Sequence, residues 1–308
     1  MVNYVIFGED EFSEKLAKEL QADFVQIEST RFPDRELKTR IDTSALKKVG
    51  DKTALIVIRA MRYNPNPNDC LIKTIITTDT LTKYKIRHMD LLLPYMFYAR
   101  QDGERLPGES DSLTQIAKIY EELGIRNLIT ANSHLYGKKN PLQNFFTTVK
   151  IYDISTAKLF ANYLGTKQLK NPFIISPGSG PEKMAMELSA YLNCEFECLP
   201  KTRNPETGRV DMGSPTSDLK GKDIILYDDI ASSGGTTEMA YRLTEIHEPN
   251  NIFIALAHLW TTQGINRLSI LSSLELMTTN SFITERVENP FTELSLTELF
   301  SEQLKKIE

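Results

Sequence analysis

The sequence predicts an α/β protein made of two tandem domains, each a mostly parallel β-sheet flanked by helices. Short apolar segments rich in β-branched residues alternate with helical patterns of about 10 to 15 residues, which is typical of βαβ units. The alternation restarts near residue 150, and the length of 308 residues suits two domains of about 150 residues each. We therefore expect an N-terminal domain at residues 1–148 and a C-terminal domain at residues 149–308.

The first half contains five apolar segments that predict strands, at residues 3–10, 23–29, 53–61, 88–96 and 127–134. Helical spacing of apolar residues predicts helices at 12–20, 69–84 and 113–123. Residues 31–36 are polar and contain Pro33, so we expect a loop there. Ligands of parallel sheets bind beyond the carboxyl ends of the strands. This rule selects Arg59, residues 98–102, Ser133 and His134.

The second half predicts a strand and glycine loop at residues 172–180 and strands at 251–260 and 274–282. Helices are predicted at 155–164, 181–192 and in the C-terminal tail. Residues 199–218 form a long segment of Pro, Gly, Ser, Thr and charged residues. A loop of this length in a compact domain is typical of a flexible binding loop or lid. An exposed hairpin that turns at residues 206–208 fits the same composition. Lys201 and Arg203 are the cations that such a loop can bring to a ligand.

The segment at residues 222–243 carries the clearest chemistry. An apolar strand ends in Asp228 and Asp229, a loop of Ser, Gly and Thr follows, and a helix begins near Gly235 with Thr236 or Thr237 at its cap. Glycine lets a ligand approach the backbone, and a helix N-terminus offers free N–H groups to a phosphate. The carboxylates can hold sugar hydroxyls or a metal ion. The segment therefore indicates a sugar-phosphate site, with a tight strand-to-helix turn as the alternative.

Composition argues against several other functions. A net charge of −5 and a pI near 5.6 give no basic surface for nucleic acid. No apolar run reaches 18 residues and no signal sequence is apparent, so we expect a cytoplasmic protein that does not bind membranes. Residues 178–183 lack the third glycine of a dinucleotide fingerprint, and the chain has no P-loop motif. Cys194 and Cys198 lack partner ligands for zinc, which favours ordinary core thiols.

The D-D-x-x-x-S-G-G-T arrangement at residues 228–236 resembles the phosphoribosyl diphosphate signature of type I phosphoribosyltransferases and of the ribose-phosphate diphosphokinases. The likeness to the diphosphokinases covers essentially the whole chain, with both domains of the phosphoribosyltransferase type. It implies that ATP is bound by Phe32, Asp34, Glu36, Arg100, Gln101, Asp102 and His134. It implies that ribose 5-phosphate is bound by Asp228, Asp229, Ser232, Ser233, Gly234, Gly235 and Thr236.

The resemblance further implies transfer of the β,γ-diphosphoryl group of Mg-ATP to the anomeric hydroxyl of ribose 5-phosphate, giving phosphoribosyl diphosphate and AMP. Lys201 and Arg203 match the catalytic pair of the family's flexible loop, and His134 matches its metal-binding position. The loop containing Phe32 resembles the family's adenine-binding loop, which serves a neighbouring subunit. The resemblance therefore implies magnesium as cofactor and a homo-oligomer, a dimer or a multiple of dimers.

Two positions depart from the family pattern. An acid that usually follows Ser-Pro is Gly178 here, and an acid that usually stands two residues before the metal-binding histidine is Asn132. We expect weaker or rearranged metal binding, with Glu182 as a substitute ligand. Two alternatives stay open: a catalytically silent homologue that regulates an active enzyme, and a type I phosphoribosyltransferase.

Overall fold

The structure is a computed structural model that describes residues 3–104, 106–204, 210–285 and 288–307. The side chain of Arg203 and the turn expected at residues 206–208 lie outside the described residues. Two open sheets with helices on both faces form the molecule, which confirms the predicted α/β class.

The first sheet has seven described strands in the order β3-β2-β1-β4-β5-β6-β7. Neighbouring strands are parallel except β2 and β3. The strands are Tyr4–Gly8 (β1), Asp23–Arg31 (β2), Leu37–Ile41 (β3), Thr53–Val57 (β4), Met89–Leu92 (β5), Ile125–Ala131 (β6) and Lys150–Ile154 (β7). The helices between them are Glu11–Leu20 (α1), Thr43–Leu46 (α2), Pro67–Lys83 (α3) and Ser112–Glu122 (α4).

The second sheet has six described strands, all parallel, in the order β15-β14-β13-β12-β8-β9. A separate antiparallel hairpin, β10-β11, stands beside it. The strands are Phe173–Ser176 (β8), Glu195–Cys198 (β9), Lys201–Arg203 (β10), Val210–Met212 (β11), Asp223–Ala231 (β12), Asn251–Leu259 (β13), Glu275–Thr279 (β14) and Thr292–Leu294 (β15). The helices are Ala157–Leu164 (α5), Glu182–Leu192 (α6), Gly235–Glu245 (α7), Thr262–Ser269 (α8) and Thr297–Ile307 (α9).

The central strands of each sheet are buried on both faces, which is why they read as nearly continuous apolar runs. In β12, Ile224 and Leu226 pack in one core cluster while Ile225 and Tyr227 pack in the opposite one. This alternation follows from the two-residue period of a strand. The buried strands hold their carboxyl ends in place, and the polar side chains considered below follow those ends.

The two halves of the chain are tied together at several points. The C-terminal helix α9 packs on α1 of the first half, where Phe300 and Phe12 meet edge to face at 6.2 Å. Arg62 is fully buried and donates to the Thr279 carbonyl at 2.8 Å and to the Glu293 carboxylate at 2.6 Å. Strand β7 lies in the first sheet although it follows residue 148. The domain boundary at residue 148 stays a prediction.

One local expectation was wrong. The residue that precedes α7 as N-cap is Gly234, and neither Thr236 nor Thr237 caps the helix. Gly234 has φ of 75°, a left-handed conformation that glycine adopts without steric cost. Throughout the described ranges, no helix combines the length and the apolar character that crossing a membrane requires.

Candidate active site

The loop after β12 is held by the segment that follows β13. Trp260 donates its backbone N–H to the Ala231 carbonyl at 2.9 Å, and the Thr261 hydroxyl donates to the Ser232 carbonyl at 2.8 Å. The backbone at Gly264 in α8 also lies against Ser232, since an added Cβ would stand 2.1 Å from its carbonyl oxygen. With these carbonyl groups engaged, the loop and the first turn of α7 present N–H groups, as a phosphate site requires.

A cation that the sequence analysis missed lies at this loop. A Cβ built on Gly235 would stand 2.9 Å from a terminal guanidinium nitrogen of Arg267, so the guanidinium lies against the start of α7. The N-terminus of a helix carries partial positive charge and disfavours a cation unless an anion is present. Glu238 in the first turn of α7 lies 3.4 Å from Arg267 and compensates part of this charge. A bound phosphate would compensate the rest.

The two acids at the carboxyl end of β12 have different environments. Burial, followed by the charge of Asp229, raises the pKa of Asp228 well above its usual value, and the charge of Lys201 opposes this rise. Burial also acts to raise the pKa of Asp229, but the hydrogen bond and charge of His134 outweigh it and hold that pKa below its usual value. Asp229 is therefore the member of the pair that ionises at the lower pH.

His134 connects the two halves of the site. Its Nδ1 lies 2.7 Å from Oδ2 of Asp229, although the two residues are 95 positions apart in the chain. Because an ionised carboxylate only accepts hydrogen bonds, Nδ1 is the protonated nitrogen. A carboxylate that binds one imidazole nitrogen in this way fixes the ring and leaves the other nitrogen for a ligand. The family resemblance implies that these two residues bind different substrates, and the structure brings them into contact.

An aromatic cleft of about 370 Å³ opens beside His134. Its apolar side is formed by Pro67, Tyr95, Phe97, Tyr98 and Trp260. Its polar groups are Arg100, Gln101 and His134, three of the residues assigned to ATP from the sequence. Flat aromatic rings suit a purine base and the cation suits phosphate. Trp260, which stacks on Phe282 at 4.8 Å, was missed, although it is the last residue of a predicted strand.

The other residues assigned to ATP lie elsewhere in the single chain. Asp102 directly follows Gln101 in the chain but is not among the described residues that line the cleft. Phe32, Asp34 and Glu36 form the exposed turn between β2 and β3, where the Asp34 carboxylate accepts the Glu36 N–H at 3.1 Å. None of the three is among the described residues that line the cleft. Phe32 is 48% exposed, so its ring is available to a second molecule.

Lys201 lies at the start of β10, in the hairpin that the structure shows within the predicted loop of residues 199–218. Its side chain passes over Gly178, and its charge acts on the Asp228 carboxyl. Arg203 ends β10, two residues further along, and its side chain lies outside the described residues. One member of the predicted catalytic pair therefore lies over the end of β8, the strand that neighbours β12.

Asn132 and Glu182, the two positions connected with metal binding, have other contacts. Asn132 is fully buried, and its Oδ1 accepts hydrogen bonds from the backbone and hydroxyl of Thr156 at 2.7 and 2.6 Å. Glu182 lines a groove together with Lys138, Lys139 and Lys183. Asn132 thus fixes the start of α5, and the role of Glu182 as a substitute ligand stays a prediction.

The carboxylates and the histidine fit a metal ion that the nucleotide brings. In the described part of the chain, no three His, Cys, Asp or Glu side chains are grouped closely enough to hold a metal alone. Mg²⁺ in nucleotide enzymes is commonly bound by one or two carboxylates together with substrate phosphates and water. Asp229 with its charge, and His134 beside the cleft, satisfy this requirement when ATP phosphates supply the remaining oxygen ligands.

Comparison with known proteins identifies the family. The family model for the N-terminal domain of ribose phosphate pyrophosphokinase matches residues 5–124, and that for the phosphoribosyl transferase domain matches residues 148–270. A ribose-phosphate pyrophosphokinase of Sulfolobus acidocaldarius is 30% identical over 270 residues, which cover 87% of this chain and 88% of the relative. The chain belongs to the ribose-phosphate pyrophosphokinase family.

Other relatives extend the match over nearly the whole chain. The ribose-phosphate pyrophosphokinase of Helicobacter hepaticus is 28% identical over 298 residues, covering 96% of this chain and 92% of the relative. The crystal structure of phosphoribosylpyrophosphate synthetase from Mycobacterium smegmatis superposes with a TM-score of 0.82 at 25% identity, over 99% of this chain and 98% of that one. These matches confirm the family that the motifs resemble. They also confirm the predicted fold of two phosphoribosyltransferase-type domains.

Proposed function

We propose that this protein transfers the diphosphoryl group of Mg-ATP to the anomeric hydroxyl of ribose 5-phosphate, forming 5-phosphoribosyl 1-diphosphate and AMP for nucleotide biosynthesis. Membership of the pyrophosphokinase family supports the reaction. The observation that carries the proposal is the 2.7 Å contact between His134 and Asp229. It places the aromatic cleft, suited to a nucleotide, next to the acids and loop suited to a sugar phosphate.

The residues act mainly by alignment and by charge neutralisation, which are the main contributions of a protein to phosphoryl transfer. The loop at residues 232–236 and the Arg267 guanidinium hold the 5-phosphate, and Asp228 and Asp229 hold ribose hydroxyls. Arg100 and Gln101 hold ATP in the cleft. The anomeric hydroxyl oxygen then bonds to the β-phosphorus as the bond from that phosphorus to the α,β-bridging oxygen breaks, and the hydroxyl proton is released to solvent. AMP leaves, and Lys201 with Arg203 stabilises the negative charge on the transferred oxygens.

Magnesium is the proposed cofactor, and Asp229 and His134 would hold it together with the ATP phosphates. When bound, Mg²⁺ neutralises the phosphate oxygens and makes the β-phosphorus a better electrophile. The contact between His134 Nδ1 and Asp229 keeps the imidazole oriented for this role. Arg100 and Gln101 orient the nucleotide whether or not Mg²⁺ neutralises the phosphate oxygens.

A homo-oligomer, a dimer or a multiple of dimers, is part of the proposal, and so is a cytoplasmic location where ATP is abundant. The exposed turn of Phe32, Asp34 and Glu36 supports the oligomer because it stands outside the cleft of its own chain. Sedimentation should show at least a dimer, and Phe32→Ala should raise the KM for ATP. A monomer that stays fully active at high dilution would exclude a contribution from a second subunit.

The reaction is tested by product stoichiometry. The purified protein is mixed with ATP, magnesium and ribose 5-phosphate, and AMP and phosphoribosyl diphosphate are measured by chromatography. We expect the two products in equal amounts and neither when ribose 5-phosphate is omitted. Absence of both products over a range of Mg²⁺ and Mn²⁺ concentrations would favour a silent regulatory homologue. Release of diphosphate from phosphoribosyl diphosphate only with an added base would favour a phosphoribosyltransferase.

A further inference from the structure

His258 is a buried polar side chain in an apolar strand. It lies near the end of β13, where the positions from Ile252 to Leu259 are otherwise apolar, and it is fully buried. Its ring meets the ring of Tyr95, a residue that lines the aromatic cleft, edge to face at 4.9 Å. A polar group costs free energy when it is buried unless its hydrogen bonds are made. The partners of the two His258 nitrogens therefore indicate its role.

The two ring nitrogens of His258 contact groups from both halves of the chain. Nε2 lies 2.9 Å from the Ala131 carbonyl oxygen at the end of β6, and Nδ1 lies 2.9 Å from Oγ of Ser281. A carbonyl oxygen only accepts hydrogen bonds, so Nε2 carries a proton. Burial lowers the pKa of His258 to about 4, so the ring is neutral near pH 7 and has this one proton. Nδ1 therefore accepts the hydrogen bond of the Ser281 hydroxyl.

The Ala131 carbonyl belongs to the segment that carries His134. This segment leaves the end of β6 through Asn132, whose φ of 36° is a left-handed conformation that residues other than glycine adopt only occasionally. Such a conformation persists where the surrounding contacts hold it. The Asn132 N–H donates to the Ile154 carbonyl of β7 at 2.9 Å, which holds the segment within the first sheet. The contact of His258 with Ala131 holds it from the second sheet.

The second sheet holds this segment at two points. β13 binds the Ala131 carbonyl through His258, and the neighbouring strand β12 contacts the His134 ring through Asp229 at 2.7 Å. One contact fixes only a distance, whereas a second contact three residues further along the segment also fixes its orientation. A displacement of about 1 Å in a group that positions substrate lowers the rate about 100-fold. The exact placement of His134 beside the cleft therefore depends on both contacts.

We propose that His258 is a positioning residue that holds His134 in the orientation needed to bind Mg-ATP. This role rests on the proposed function and adds a residue that is fully buried and touches neither substrate. The neutral ring links the Ser281 hydroxyl of the second sheet to the Ala131 carbonyl of the first. Because the Nε2–H hydrogen bond makes this link, a side chain that keeps a donor at the same place should keep the function.

Nitrogen-15 NMR of the histidine side chains tests the link without turnover. The chain has four histidines, and single substitutions assign their signals. We expect a neutral His258 with its proton on Nε2 at pH 7. His258→Asn should shift the Nδ1 signal of His134, whereas His88→Asn, at an exposed position before β5, should not. A His258 proton on Nδ1, or an unchanged His134 signal in His258→Asn, would overturn the proposal.

A matched pair of substitutions separates the hydrogen bond from the packing of the ring. The amide nitrogen of glutamine can stand where Nε2 stands, whereas that of asparagine reaches only the place of Nδ1. Both substitutions remove the ring from Tyr95 and should lower Tm similarly. We expect kcat/KM for ATP to fall about tenfold or more in His258→Asn and to stay within about threefold of wild type in His258→Gln. Equal losses in the two variants would show that only packing matters and would contradict the role.

The KM for ribose 5-phosphate provides an internal control. The loop at residues 232–236 is held by the backbone of Trp260 and the hydroxyl of Thr261 rather than by the His258 ring. We therefore expect this KM to stay within about twofold of wild type in both variants. A rise in His258→Asn as large as the rise for ATP would show a general distortion of the site and would exclude a specific effect on His134.

Nucleotide binding separates this proposal from the proposed reaction. Calorimetry with Mg²⁺ and α,β-methylene-ATP, which cannot be cleaved between its α- and β-phosphorus atoms, measures binding without turnover. Its Kd should be about tenfold higher for His258→Asn than for His258→Gln. If wild type forms no phosphoribosyl diphosphate but this difference is present, the proposed function fails and the role of His258 stands. Equal Kd values for the two variants would refute that role even in an active enzyme.

Discussion

Gly264→Ala tests whether α8 positions the phosphate loop. The new Cβ would stand 2.1 Å from the Ser232 carbonyl oxygen, 3.1 Å from its carbonyl carbon and 3.5 Å from the Ala231 oxygen. All three atoms belong to the backbone of the loop, so no side-chain rotation relieves the contact. The loop backbone must move by about 1 Å to restore a normal distance between the new Cβ and the Ser232 oxygen. A displacement of this size in a group that positions substrate lowers the rate about 100-fold.

We therefore expect kcat/KM for ribose 5-phosphate to fall about 100-fold in Gly264→Ala, equal to about 2.7 kcal/mol of transition-state binding. Overpacking should also lower the free energy of unfolding by about 1 to 3 kcal/mol. The higher helix propensity of alanine alone would instead raise the free energy of unfolding by up to about 1 kcal/mol.

The assay is the initial rate of AMP formation with ribose 5-phosphate varied at saturating Mg-ATP, together with urea denaturation. Gly165→Ala is the matched control because no atom lies within 4 Å of a Cβ built at Gly165 and its φ of −59° suits alanine. A folded Gly264→Ala protein with unchanged kcat/KM for ribose 5-phosphate would refute the assignment of this loop to the sugar phosphate.

Three further variants test single groups. Lys201→Ala should lower kcat about 100-fold or more, because it removes a positive charge that stabilises the transferred oxygens. Tm should change little because the Lys201 side chain is exposed. Unchanged turnover or a large loss of Tm would contradict the role of Lys201. Arg267→Met should raise the KM for ribose 5-phosphate about tenfold through loss of a charged phosphate contact, whereas Arg242→Met, on the exposed surface of α7 and paired with Glu245, should not. Burial raises the pKa of Asp153 from 3.8 to about 6, so the folded protein holds this proton more tightly than the unfolded chain does. The contribution of Asp153 to the free energy of unfolding is therefore fully present below about pH 4 and is lost as the pH rises through about 6. Urea denaturation across this pH range should show that Asp153→Asn lacks this decline in stability. The same pH profile in wild type and Asp153→Asn would refute this role of Asp153.

The strands and helices near the site were predictable because their signals are local. The apolar run before Asp228 predicted β12, and the Ser/Gly/Thr segment predicted a loop that leads into α7. The cap of α7 was assigned wrongly to a threonine, because the sequence does not show that the backbone at Gly234 turns into the left-handed region. Propensity favours a hydroxyl side chain at a cap, whereas here the conformation of the loop requires glycine.

The contacts that assemble the site could not be read from local patterns. His134 and Asp229 are 95 residues apart, and their contact depends on how the two sheets meet. Arg267 has an ordinary position in an amphipathic helix, so no spacing rule marks it as a phosphate contact. Gly178 looked like the loss of a ligand, and only the position of Lys201 shows what occupies that space. Asn132 likewise has a structural contact with Thr156.

The central claim is that a diphosphoryl group moves as one unit from ATP to ribose 5-phosphate. The most direct test follows the γ-phosphate of radiolabelled ATP in the presence of magnesium and ribose 5-phosphate. We predict that the label appears in phosphoribosyl diphosphate while all of the adenine nucleotide product is AMP. Label in inorganic phosphate or in a ribose bisphosphate, with ADP as the nucleotide product, would contradict the claim.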